Sequence, residues 1–361
     1  MQRFTIKFAV MAVMLLGLPL FGVHLAGYPI ARYIEFPPES RYVQHAPFSW
    51  AAFCAYSAFI LVVTLPLIIT AVRTMRRRQP KAPPVAAFPW WGWLGVAWGL
   101  LFWILAWTRF EWFAVLQPHT FTLLWLGYIL FINGLGQRQT GRCMLTAQPG
   151  YFLMLFPVSA AFWWFFEYLN RFVQNWYYEG VRFGPTEYFW YATLSFATVL
   201  PAVLGTRDVV LGSRWLQDGF KQFLPLAWPR PRVTARAVLI AASAGLALIG
   251  VFPNLMFPLL WVSPLLIIVS LQVLMSESHI FKDISRGDWR QVMACAAAAL
   301  ICGWFWEMWN YFSLARWVYA VPYVHRFEVF EMPILGFAGY LPFGLECAVI
   351  GTLLERLKVS F

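Results

Sequence analysis

Apolar residues in this 361-residue chain run in long blocks that charged positions rarely interrupt. A helix needs about 20 mainly apolar residues to cross a hydrocarbon core about 30 Å thick. Charge-free blocks of that length occupy residues 8–31, 42–72, 82–108, 112–137, 143–166 and 188–206. A longer uncharged block, 237–276, is broken by Phe252-Pro253-Asn254 and predicts two helices joined by a tight turn. Two further candidates each carry a carboxylate: about 291–310 with Glu307, and 332–352 with Glu346. The pattern predicts an all-α polytopic membrane protein with about ten transmembrane helices.

Composition sharpens this reading. Hydrophobic residues make up 61% and charged residues only 12%, against about 25% charged in a soluble domain. An ordinary globule, a disordered chain and a small secreted scaffold are thereby excluded. Lysine and arginine in short loops set orientation. With a cytoplasmic N-terminus, 20 of the 27 basic residues fall on the inner side, leaving Arg32, Arg41, Arg109, Arg171, Arg182, Arg316 and Arg326 outside. The net charge of +11 then reflects topology, and no nucleic-acid partner is expected. The expected location is the cytoplasmic (inner) membrane with both termini inside. The first apolar run is longer than a signal-peptide core and lacks a small-x-small site after it.

The chain also repeats itself. Trp164-Phe165-Phe166-Glu167-Tyr168-Leu169-Asn170-Arg171-Phe172 recurs as Trp304-Phe305-Trp306-Glu307-Met308-Trp309-Asn310-Tyr311-Phe312, offset by 140. The block from Ser195 to Pro201 matches the block from Gly336 to Pro342 at an offset of 141, and the one from Phe121 to Trp125 matches that from Phe257 to Trp261 at 136. Three blocks in one order predict a tandem parallel repeat of four-helix units, 82–232 and 233–361, preceded by a two-helix extension, 1–81. An even helix count per unit puts the pseudo-axis along the membrane normal.

In each copy the Glu and the Asn are three residues apart and share a helix face, with Trp164 or Trp304 one turn earlier. A charge at the bilayer centre costs about 2.5–3.5 kcal/mol on insertion scales, and less near the interface. Both acids are expected near the outer end of their helices. Two readings stay open: an interfacial aromatic anchor whose Glu snorkels or pairs with Arg171, or a pocket in which Glu167 and Glu307 exchange protons or hold a ligand. Glu187, Glu328 and Glu331 lie on the same side, as do Arg109, Glu111, His119, Arg316, His325 and Arg326. Glu346, about 22 Å along its helix from Glu331 at 1.5 Å per residue, is either a bundle-interior acid paired across helices or an inner-interface residue.

The remaining segments read as structural. The 207–236 loop, with Trp215, Phe220, Lys221 and Phe223, fits an amphipathic stretch on the membrane surface. The Pro-rich run 79–84 fits a linker, and the loop 34–41 fits a connector or a cap over the site. The cysteines (Cys54, Cys143, Cys295, Cys302 and Cys347) form no CxxC, and no histidines are spaced as HxxH. No disulfide framework, metal or cofactor is expected.

Trp306-Glu307, Trp317, Tyr319, Pro322-Tyr323, Glu331, Pro342-Phe343 and Glu346 follow one another in an order that resembles the small integral-membrane lycopene cyclase domain of bacteria, archaea and fungi. There a Trp-acid pair ends one helix, a Pro-x-Glu-Glu motif opens the next, and the unit occurs twice. This chain departs from that pattern. Glu187 is followed by Tyr188, Glu328 and Glu331 are separated, and each copy carries four predicted helices instead of three. The resemblance implies proton-initiated chemistry on a carotenoid or other isoprenoid. Such a reaction needs a carboxylic acid kept protonated by an apolar site and aromatic faces for a carbocation. On that view Glu167, Glu307, Glu331 and Glu187 are the acid/base candidates. Asn170, Asn310, Trp164, Trp304, Trp306, Arg171 and Arg109 bind or position the substrate. Two other classes remain: a lipid or small-solute transporter or flippase working between the halves, and a non-catalytic subunit or scaffold that meets a protein partner or a second copy. Membrane lipids are partners in every case.

Overall fold

The computed structural model describes residues 2–77 and 85–359. The predicted linker at 79–84 and the predicted boundary at 81 lie outside the described residues. The long helices are α1 (Gln2–Leu25), α2 (Trp50–Arg76), α3 (Trp90–Trp107), α4 (Thr120–Thr140), α5 (Pro149–Val173), α6 (Pro185–Phe196), α7 (Val199–Leu211), α8 (Pro231–Leu248), α9 (Ser263–Leu274), α10 (Arg290–Tyr311) and α11 (Tyr340–Val359). Helices α6 and α7 run on as one span, Pro185–Leu211. Among the described residues nine helices are long and apolar enough to cross a bilayer. The pair Pro253–Leu260 and Ser263–Leu274, bent by 52°, is a tenth candidate. The chain is an all-helical integral membrane protein.

Helix ends differ from the charge-free blocks for a local reason. The fifth helix does not stop before Glu167 but begins at Pro149, whose ring is preset for a first helical position, and ends where Gln174 turns left-handed at φ 50°. Glu167, Asn170 and Arg171 therefore lie inside α5 and are buried. The sixth span likewise starts earlier, at Pro185, with Glu187 in its first turn.

Small residues let helices approach closely, as in membrane packing generally. A Cβ on Gly127 of α4 would come within 2.8 Å of the Gly99 backbone nitrogen of α3. One on Gly344 of α11 would meet the Cys295 carbonyl of α10 at 2.1 Å. By contrast, α2 buries none of its residues and lies at the periphery. The core runs through the middle of the bundle and includes Trp125, Phe166, Leu200, Cys302 and Phe343, all fully buried.

The segment 207–236 does more than lie on a surface. Its Arg214–Phe220 helix buries Leu216 and Phe220 against Val210 and Ala294 under the bundle. At the same end Lys7 of α1, Glu277 and Arg356 of α11 form an ion triad, with Arg356 to Glu277 at 2.8 Å. This basic end thus gathers the start of α1 and the end of α11. At the opposite end lie short strands absent from the predicted all-α pattern: β1 (Trp176–Glu179) and β2 (Arg316–Tyr319), beside a two-residue pair, Glu328–Val329 with Met332–Pro333. Strands β1 and β2 pair antiparallel, Trp176 opposite Tyr319 and Tyr178 opposite Trp317.

Candidate functional site

The β1–β2 ladder meets both of the acids that recur in the sequence, Glu167 and Glu307. Each strand follows the helix that carries the Glu and Asn, and each Asn fixes its strand in the same way. Asn170 donates through Nδ2 to the Trp176 carbonyl at 2.7 Å and accepts through Oδ1 from the Asn175 backbone at 2.8 Å. Asn310 donates to the Trp317 carbonyl at 2.7 Å and accepts from the Trp317 N–H at 2.8 Å. Both carboxamides are buried. A lost partner there would leave a polar group unsatisfied at about 1–3 kcal/mol.

Each Glu then receives the tyrosine two residues further along its strand. Tyr178 donates its hydroxyl to Glu167 Oε1 at 2.6 Å, and Tyr319 donates to Glu307 Oε1 at 2.7 Å. The remaining donors differ between the two clusters. Glu167 also accepts from Trp176 Nε1 at 3.0 Å and Trp163 Nε1 at 3.1 Å. Glu307 accepts instead from the Tyr340 hydroxyl at 2.6 Å. At offsets of 140 and 141, Trp163 corresponds to Gly303 and Val199 to Tyr340. The exchange is reciprocal. A Cβ on Gly303 would meet the Tyr340 ring at 2.5 Å, so the missing side chain makes the room that the phenol fills.

Between the two carboxylates lies a continuous aromatic cluster. The Trp163 ring is 6.4 Å from that of Trp306 and 5.6 Å from that of Phe343. Trp306 stacks on Tyr340 at 5.9 Å and packs on Trp125 at 5.0 Å. Trp261 joins Trp176 at 5.6 Å and Phe166 at 5.1 Å. Glu307 is fully buried, and its second oxygen, Oε2, has no hydrogen-bond partner.

Other predicted residues lie outside this cluster. Trp164 donates to Thr193 Oγ1 at 2.9 Å and stacks on Phe189. Trp304 is 48% exposed and meets Phe330. The tryptophans that bond to a carboxylate are Trp163 and Trp176, both on Glu167, while Trp306 stacks on Tyr340, a donor to Glu307. Arg171 does not pair with Glu167, whose Oε1 is already occupied; it pairs with Glu35 of the loop between α1 and α2 at 2.8 Å. The 34–41 loop therefore folds over this end, with Phe36 against Trp164 and Tyr188. Ser40 donates to Glu35 through hydroxyl and backbone, and with Arg171 this holds the Glu35 carboxyl below the usual range although burial opposes it. Arg109 caps helix ends, donating to the carbonyls of Ala106 at 2.9 Å and Phe312 at 2.7 Å. Glu331 pairs with Arg316 at 2.8 Å. Glu187 is exposed and accepts the Gly184 N–H at 3.2 Å.

Glu346 lies in the bundle interior. Its Oε1 accepts the Leu265 N–H at 3.0 Å, at the start of α9 where the bent span resumes, and its Oε2 is buried without a partner. Trp163, Trp176, Tyr178 and Tyr340 do not stand out from the other aromatic residues in the sequence. Their signal is the exchange at 163/303 and 199/340, together with the shared Trp-x-Tyr of the strands. No group of three or more His, Cys, Asp or Glu among the described residues is placed to hold a metal ion. No protein-family model, curated protein or solved structure matches the chain.

Proposed function

We propose that the chain is a membrane-embedded enzyme that acts on an isoprenoid or another lipid, with Glu307 and Glu167 as its acid/base groups. One observation carries this reading: Glu307 is enclosed by aromatic rings, its Oε1 saturated by two phenols and its Oε2 left without a partner. The unpartnered oxygen is the one free to give or take a proton. The Trp306, Tyr340, Phe343 and Trp163 rings around it suit a developing carbocation. Asn170 and Asn310 position the strands that present the tyrosines. The lycopene-cyclase resemblance points the same way, toward a polyene substrate.

The equivalent bonds at offsets of 140 and 141 support a tandem duplication, with an extension at 1–81 and copies at 82–232 and 233–361. The antiparallel β1–β2 pair fits a pseudo-axis along the membrane normal. The clustering of Lys7, Arg142, Arg207 and Arg356 at one end supports inner-membrane insertion with both termini cytoplasmic.

Glu307→Gln tests the assignment, since the amide oxygen retains both tyrosine bonds but the group cannot deliver a proton. With lycopene as the probe in pigment-accumulating bacterial cells, wild type should yield cyclised product by chromatography, and the variant none at equal membrane abundance. Full conversion by Glu307→Gln would remove the assignment. A second reading, transport between the halves, is favoured by Glu346 at the resumption of the bent span, because broken helices frame transporter sites. Solute flux in proteoliposomes without lipid conversion would select it.

A further inference from the structure

At the basic end, away from the two carboxylate clusters, a cavity of about 510 Å³ opens between α4, α5, α7 and the end of α11. That volume lies in the range of small-ligand sites, about 300–1,000 Å³. Its charged lining is balanced: Arg142 and Arg207 against Asp208 and Glu355. Arg207 holds Asp208 through Nε at 3.0 Å and Nη2 at 2.7 Å, both on Oδ1. The other two charges are exposed, and their side chains make no ion pair or hydrogen bond to any described residue. Two opposite charges that share a cavity without meeting leave room for a bridging ligand that carries both signs. The buried part of the wall sets Ile132 and Met144 beside the polar groups of Asn133 and Tyr151, and the cavity lies where α4 and α7 end and α5 begins, the level at which a bilayer crossed by these helices would place its phospholipid heads.

We propose that this cavity binds the phosphate–ammonium zwitterion of an ethanolamine phospholipid head, the phosphate on Arg142 and Arg207 and the ammonium on Glu355 and Asp208. Arginine forks match phosphate oxygens geometrically, and a primary ammonium brings three donors to the carboxylates. A choline head lacks those N–H donors, and a glycerol head lacks the cation. The inference is independent of the chemistry assigned to Glu307.

Gly136 supplies the cleanest perturbation. It lines the cavity, and a Cβ there meets only ordinary contacts, Cys143 Cβ at 3.6 Å and Val209 Cγ2 at 3.8 Å. The position thus accepts a Cβ, and Gly136→Leu adds bulk to the cavity wall while improving helix propensity. The experiment is native mass spectrometry of the detergent-purified full chain with added ethanolamine, choline or glycerol phospholipids of identical acyl chains. Wild type should retain one ethanolamine lipid at least about tenfold over the other two, as expected when a charge-assisted contact is lost. Gly136→Leu should lose that retention while melting no lower than wild type. Glu355→Gln, at an exposed position, should level ethanolamine with choline. Displacement by soluble phosphoethanolamine would make the free head sufficient; resistance to it would assign the site to the intact lipid. Equal retention of all three lipids, or ethanolamine retention unchanged in a folded Gly136→Leu or in Glu355→Gln, would overturn the proposal.

Discussion

The reciprocal exchange at 163/303 and 199/340 predicts that one cluster can be rebuilt in the image of the other. Gly303→Trp alone forces an indole into space that the Tyr340 ring fills, since even a Cβ would lie 2.5 Å from it. Overpacking costs about 1–3 kcal/mol. Displacing the phenol also removes its 2.6 Å bond to Glu307, worth about 0.5–1.5 kcal/mol to a neutral carboxyl. Tyr340→Val alone leaves a cavity beside a buried aromatic cluster, and large-to-small core substitutions cost about 2–5 kcal/mol. The double variant restores the arrangement around Glu167, where the indole four residues before the acid donates to Oε1 at 3.1 Å. It should therefore recover at least about 2 kcal/mol relative to the sum of the singles, near the upper end for contacting pairs. Unfolding in mixed micelles of increasing dodecyl sulfate content, followed by tryptophan fluorescence, measures all four proteins. If the double variant is as unstable as the summed singles, Gly303 and Tyr340 are not exchanging roles with Trp163 and Val199, and the equivalence of the two clusters fails.

Asn310→Ala should cost about 2–3 kcal/mol by leaving both the N–H and the carbonyl of Trp317 unpartnered, read as a lower midpoint in the same titration; an unchanged midpoint would refute the bracing role. The Glu35 latch should depend on pH. Its folded pKa is lowered, chiefly by Ser40 and then by Arg171, so its contribution is complete above the ordinary value of 4.5 and is lost as pH falls through the folded value. The Tm difference between wild type and Glu35→Gln should thus be constant near neutrality and close on acidification, and a gap that widens in acid would contradict the latch. At neutral pH Glu35→Gln should also speed tryptic cleavage after Arg32 and Arg41.

What the sequence made legible was whatever stood out against an apolar background. Glu167, Asn170, Glu307 and Asn310 are polar groups in blocks of aromatic and aliphatic residues, so their recurrence was visible without any fold. The partners of those groups were hidden for physical reasons. Trp176, Tyr178 and Tyr340 are aromatic in a chain where 19% of residues are aromatic, and a donor looks no different from a lipid-facing ring until its neighbour is known. The ladder was invisible because four-residue strands are too short to show alternation. Arg171 shows a different limit. Four residues from Glu167, it matched the helical spacing of an ion pair, yet its partner is 136 residues earlier in sequence.

That displacement has a consequence for the site. If Arg171 neutralised Glu167, the first carboxylate would be an anchored ion pair while the second remained free of any cation. Because the loop between α1 and α2 supplies Glu35 instead, both carboxylates have aromatic walls, phenol or indole donors, and no guanidinium bound to them. The 34–41 loop therefore does more than connect α1 to α2. It binds Arg171, the cation that α5 carries one turn beyond Glu167, and so leaves that carboxylate, like Glu307, without a bonded guanidinium.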